Sequence, residues 1–180
     1  LIGVELPFAP DEAMRLVGAA CAQKYPLALL FHATLAALGI ARPQSFDDAI
    51  AYVSEAAATG YERARGQLEA LGGVEKFDPS DWLSVPPQQQ HFVAPRISTI
   101  EAFLPKQVCD WHIKQLDCAL QPAAVKDPQR GGPAVDEARS NADASFSSIE
   151  ADLVLRMTRL RIAAALGIHV ANQEPTNILH

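Results

Sequence analysis

The side chains able to do chemistry in this chain are few and scattered. His32, His91, His112, His169 and His180 stand far apart, and none is followed two residues later by Asp or Glu. The paired ligands of a facial iron triad are therefore absent. Cys21, Cys109 and Cys118 are odd in number and form no C-x-x-C spacing, which argues for reduced core thiols over a disulfide framework or a zinc site. Phosphate-cradling glycine loops, the H-E-x-x-H pair and the G-x-S-x-G elbow are missing as well. On these residues alone no catalytic and no metal-binding side chain is assigned, and the polypeptide is expected to be inactive by itself. One stretch stands apart. Residues 136–146, DEARSNADASF, set Arg139 among small polar side chains, directly before Ser140 and Asn141. Taken alone it reads as a surface turn in which Arg139 is solvated and paired with Asp136 or Glu137, worth under ~1 kcal/mol.

The elements that must position such residues belong to a globular chain. Of 180 residues, 49% are hydrophobic and 20% charged, which excludes a disordered polymer. A net charge of −6 and a pI near 5.3 argue against nucleic acid as a partner, because phosphate binding needs a basic surface. No apolar run reaches the ~20 residues that span a bilayer, so no membrane partner is expected. Residues 26–41, PLALLFHATLAALGIA, are broken by His32 and Thr34 and read as a packed helix. Reduced cysteines fit a cytoplasmic setting. The first residue is Leu1 rather than Met, so a preceding segment, a signal peptide included, stays open.

Shifting the sequence by 36 places lays residues 11–28 on 47–64. Seven of eighteen positions match: Asp11/Asp47, Ala13/Ala49, Val17/Val53, Ala20/Ala56, Ala22/Ala58, Tyr25/Tyr61 and Ala28/Ala64. Unrelated sequences would match at about one position, so the offset marks two stacked helix–turn–helix units. The alanines allow close helix approach. The Asp pairs favour helix starts, and Gly39 and Gly60 favour helix ends. The Ala57-Ala58…Gly60-Tyr61-x-x-Ala64 stretch, and Leu38-Gly39 followed by Asp48-Ala49, resemble the Sel1-like branch of the tetratricopeptide class. That resemblance implies a scaffold for contacts with a protein partner over residues 1–72. An ordinary alanine-rich bundle is the alternative.

Residues 73–95 carry prolines and three consecutive glutamines and read as a linker, with one helical turn at 79–83 and Trp82 pinning it to a neighbour. From Arg96 the pattern changes. RISTIEAFL (96–104) alternates as a strand. Pro105 opens PKQVCDWHIKQLDCAL (105–120), which reads as a helix with Val108, Trp111, Leu116 and Cys118 as its buried stripe. Residues 123–128 and 135–140 read as strands around a glycine turn. Ser147-Ser148-Ile149-Glu150 fits a capping box before a helix that Gly167 stops. Residues 174–180, EPTNILH, head into a strand.

This order resembles the first half of prolyl 4-hydroxylase-type Fe(II)/2-oxoglutarate dioxygenases over roughly residues 92–180. The residues carrying it are Phe103-Leu104, Cys109, Arg139-Ser140-Asn141, Arg161-Ile162-Ala163 and Glu174 to His180. The resemblance implies an α+β chain: helical repeats, then, over 96–180, the incomplete first half of a double-stranded β-helix, or jelly roll. It implies that Arg139 and Asn141 lie on a loop closing over a peptide substrate, and that Glu174 lines the same groove, as guanidinium and carboxylate suit the polar groups of an extended backbone. Ser140 and Asn141 stand where the family carries Thr and Ser. Glu174 could instead cap a turn before Pro175. Arg161 is expected to brace its helix against the sheet, and Phe103 and Trp111 to lie in the core. The family's iron ligands and 2-oxoglutarate-binding residue would lie beyond His180. The implied activity, hydroxylation of a peptidyl, most plainly prolyl, residue with iron, 2-oxoglutarate and ascorbate, therefore belongs to an intact parent. The rivals are a non-enzymatic helical-repeat adaptor and a repeat-borne subunit that recruits a separate hydroxylase.

Overall fold

Prolines and glycines punctuate the first four helices of the computed structural model, which describes residues 9–116, 120–122, 124–126, 133–135, 141–146, 151–174 and 176–179. Helix α1 (Pro10–Ala22) and α2 (Pro26–Leu38) each carry proline in the first turn, where its missing N–H costs nothing. Gly39 closes α2 in the left-handed region at φ 68°, a conformation that side chains with a Cβ adopt only under strain. Helix α3 (Phe46–Ala58) opens on Ser45, whose hydroxyl accepts from the Asp48 backbone N–H at 3.1 Å. Helix α4 is Glu62–Ala70. Thus α1 and α3 start 36 residues apart, as do α2 and α4.

Small side chains bring α2 and α3 together. Ala33, Ala36 and Ala37 on one helix and Ala49, Val53 and Ala56 on the other are almost wholly buried. The matched positions on α1, Ala13, Val17 and Ala20, are only half-buried. Helix α1 lies against α2 at the end of the stack, so its inner face is covered less completely.

Next come α5 (Pro79–Leu83), β1 (Gln88–Val93), β2 (Arg96–Ile100) and α6 (Lys106–Leu116). They are followed by β3 (Gln121–Pro122), β4 (Ala124–Lys126), β5 (Pro133–Val135) and β6 (Ala142–Phe146). Helix α7 (Leu153–Leu166), a 3-10 turn (Val170–Asn172) and β7 (Thr176–Leu179) complete the described elements. β1 and β2 form an antiparallel hairpin with a bulge between Gln90 and Phe92, β4 and β5 form another, and β6 is flanked by β3 and β7 in an antiparallel sheet. The chain is mixed helix and strand, an α+β protein. Among the described residues no helix is long and apolar enough to cross a membrane.

Several boundaries differ from the sequence expectation, each for a physical reason. Residues 79–83 of the expected linker are helical, but 88–93 form β1. Its glutamines show no apolar alternation, and its strand character comes from the ladder with β2. The strand expected over 96–104 stops at Ile100, and Ala102 takes φ 52° in the turn that follows. Residues 142–146, which the pattern gives no element, form β6: Ala142, Ala144 and Phe146 alternate with Asp143 and Ser145. Helix α7 starts at Leu153 with Asp152 as its cap. The capping box at Ser147–Glu150, Cys118 and residues 136–140 lie outside the described residues.

One core runs through both regions, from Leu29, Val53 and Ala64 to Trp82, Trp111, Val154 and Met157. Trp82 carries α5 into it, and its indole N–H donates to the Met157 carbonyl at 2.8 Å. Arg161 braces α7, though not against the sheet. Its guanidinium donates to the Phe103 carbonyl at 2.7 Å and to the Trp82 carbonyl, and lies 5.7 Å and 5.5 Å over the rings of Trp82 and Phe103. Burial lowers its pKa from the ordinary guanidinium value.

Helix α6 reaches α4 through Trp111, which packs on Gly66 so closely that an added Cβ would overlap the ring. Gly66→Ala should therefore lower stability by about 1–3 kcal/mol despite the better helix propensity of alanine. Gly18→Ala, on α1 with open space around it, should raise stability by about 0.5–1 kcal/mol. Urea midpoints of the two variants check both signs.

Candidate functional site

The residues implied in peptide binding do not gather at one point. Asn141 is half-buried and immediately precedes β6, while Glu174 is exposed and leads into β7. These strands run antiparallel, pairing Asp143 with Leu179 and Phe146 with Thr176. Asn141 and Glu174 therefore flank opposite ends of the ladder, whose four pairs span about 10 Å at ~3.3 Å per step. Arg139 lies outside the described residues.

The backbone that presents Glu174 is held firmly. Arg159 on α7 donates through Nε to the Gln173 side-chain oxygen and through Nη2 to the carbonyls of Gln173 and Glu174, each at 3.3 Å. Gln173 returns a bond from its amide to the Arg159 carbonyl at 2.9 Å. A guanidinium with several N–H donors in one plane suits this multiple grip. It leaves the Glu174 carboxylate exposed.

A second set of polar groups converges where α4, α6 and α7 meet. Asp152 caps α7 by accepting from the Leu155 N–H at 3.0 Å, and its other oxygen accepts from the Trp111 indole at 3.0 Å. The Arg63 guanidinium stands 3.9 Å from that oxygen. Gln67, buried on α4, accepts from the Leu153 N–H at 3.0 Å. Two free N–H groups of α7's first turn are thus satisfied, one by its own cap and one by another helix. Nearby, the Thr158 hydroxyl donates to the Val154 carbonyl at 3.0 Å and stands 3.0 Å from His112 Nε2. With its proton committed, the hydroxyl accepts, so Nε2 carries a hydrogen and donates to it.

Sequence reasoning missed Gln67, Asp152, Arg159 and Gln173. Gln67 had a legible signal, a polar side chain on the Ala64–Leu71 face of its helix. Asp152 had one too, as an Asp three residues before Leu155, but the Ser147–Glu150 motif competes for the same role. Arg159 and Gln173 meet only through folding and had none.

Among the described residues no group of three or more His, Cys, Asp or Glu side chains could hold a metal ion, so none of them is assigned to iron. What the arrangement offers is hydrogen bonding, through the exposed Glu174 carboxylate and the polar junction of Arg63, Gln67, Trp111 and Asp152. Compared with family models, curated proteins and solved structures, the chain matches none.

Burial pushes the His112 pKa below the ordinary imidazole value, and Asp152 offsets this in part. The folded chain then resists protonation more than the unfolded one, so stability is intact above the unfolded value of about 6.5 and is lost as pH falls below it. His32 is shifted the same way by burial, then by Arg42. His112→Gln should flatten the stability–pH slope below pH ~6.5 without abolishing it, as urea titrations at a series of pH values would read.

Proposed function

We propose that residues 96–180 form the leading, substrate-side part of a prolyl 4-hydroxylase-type Fe(II)/2-oxoglutarate dioxygenase, and that residues 10–72 form a Sel1-like helical platform for a protein partner. The intact enzyme would hydroxylate a peptidyl, most plainly prolyl, residue, with iron, 2-oxoglutarate and ascorbate as its cofactors. The observation that carries this reading is the order of elements from β2 to β7, which ends with Asn141 and Glu174 flanking one antiparallel ladder. An extended peptide of four or five residues covers that span at ~3.3 Å per residue, so separate residues of one substrate could meet the two side chains. Arg139 joins them as a substrate-binding residue on the sequence resemblance alone. The firm hold on the backbone at Glu174 suits a role in positioning a ligand.

The common 36-residue offset of helix starts favours a second reading, a non-enzymatic adaptor built on the helical units. The protein as its gene encodes it decides between them. With Fe(II), 2-oxoglutarate, ascorbate and proline-rich peptides, the enzyme reading expects iron-dependent succinate and a hydroxylated peptide detected by mass spectrometry. It also expects a His-x-Asp pair and a distal His encoded after His180. Absence of both the ligands and the turnover would leave the adaptor. In an active enzyme, Glu174→Gln or Arg139→Ala should raise peptide KM by about tenfold or more while sparing peptide-independent 2-oxoglutarate decarboxylation. Equal losses in both would count against peptide contact.

A further inference from the structure

Helix α3 keeps one face outside the core. Ala49, Val53 and Ala56 are buried against its neighbours, while Asp47, Ala51, Ser54, Glu55 and Ala58 recur at spacings of three and four along the opposite side. The turn after α4 rises beside that side, and its Val74 and Phe77 form the second wall of an open groove of about 580 Å3. Val74 is 45% exposed, Phe77 is partly covered, and Asp47, Ala51 and Ala58 are exposed, so both walls can be reached from solvent. The charged side chains on the lining are two carboxylates, Asp47 and Glu55, and among the described residues no basic side chain lines it. They stand eight residues apart on α3, about 12 Å at ~1.5 Å per residue, with apolar surface between them. Among the described residues no cation pairs with Asp47, and Glu55 meets Lys24 at 3.7 Å. That pair is exposed, so competing cations displace it readily.

Charge and shape together choose the occupant. Two carboxylates repel phosphate, so nucleic acid and anionic lipid are poor partners. The surface between them, Ile50 and Ala51 facing Val74 and Phe77, calls for methyl and methylene groups that a metal ion lacks. A groove that follows a helix suits a second helix laid along it. On such a helix, residues seven or eight apart share a face, so two lysines or arginines at that spacing meet Asp47 and Glu55. Apolar residues three and four places after the first then fill the middle. The basic stems cover the alanine surface while their heads reach the carboxylates. We propose that this groove docks a basic amphipathic helix of a protein partner. The inference rests on the reading of residues 10–72 as a platform, to which it adds the surface and the partner's chemistry, and it is independent of the hydroxylase reading.

The test is titration of the full 15N-labelled chain with an alanine-based helical peptide carrying two lysines eight residues apart and leucines between them on the same face. The expected result is saturable shifts of the backbone N–H groups of α3 and of residues 74–77. Raising salt from about 50 to 300 mM should weaken binding several-fold, because the contacts at both ends are ionic. The same peptide with glutamate in place of lysine should give no saturable shift. Asp47→Asn combined with Glu55→Gln should weaken binding about tenfold with the thermal midpoint nearly unchanged, since neither carboxylate makes a buried bond. An equal response from that double variant, or from the glutamate peptide, would overturn the proposal, as would no saturable shift at all. Shifts confined to other faces of α1–α4 would leave the platform standing and overturn this groove. If the same N–H groups move with protein concentration alone, the occupant is a second copy of this chain and the partner helix is overturned.

Discussion

The contact between Trp111 and Gly66 governs how the two regions of this chain are joined. With no Cβ at residue 66, the indole of α6 lies directly on α4, and its N–H then reaches Asp152. That carboxylate caps α7, while Gln67, one residue from the glycine, takes the next free N–H of the same helix. Close approach, aromatic burial and helix capping are thus one arrangement. Disturbing the approach would move the donor, the cap and the helix together, because buried polar networks tolerate little displacement.

Arg161 performs a comparable role at the other end of α7. Two backbone carbonyls, from α5 and from the turn after β2, accept from its guanidinium, and two aromatic rings lie beneath it. Neither carbonyl belongs to a regular ladder, so each needs such a donor once buried. A segment rich in proline and polar residues is thereby fixed to the core without a large apolar surface of its own. Trp82 supplies what burial it has.

The functional geometry follows from the same helix. Residues 153–166 carry Arg159 on a side that reaches the chain before β7, so the backbone at Glu174 is set by α7 rather than by the strand it precedes. The antiparallel register then sends Asn141 to the far end of the ladder.

Much of the helical region was legible from the residues themselves. Asp11 and Asp47 in first turns, Gly39 at a left-handed end, and alanines repeating at an offset of 36 are local signals, and local electrostatics and sterics act on them directly. The buried stripe Val108, Trp111 and Leu116 was equally plain, because an amphipathic period needs only its own helix to be read. The strands were less so. β1 and β6 owe their conformation to ladder bonds with distant segments, and glutamine or alanine side chains carry no intrinsic preference for that pairing. The sequence alone also determined that Arg139, Asn141 and Glu174 were the residues to ask about. Tertiary structure alone decided that Asn141 and Glu174 stand at opposite ends of a ladder, and that Gln67 caps a helix 86 residues away. Those outcomes depend on register and on helix-to-helix approach, which long-range packing sets and no local pattern encodes.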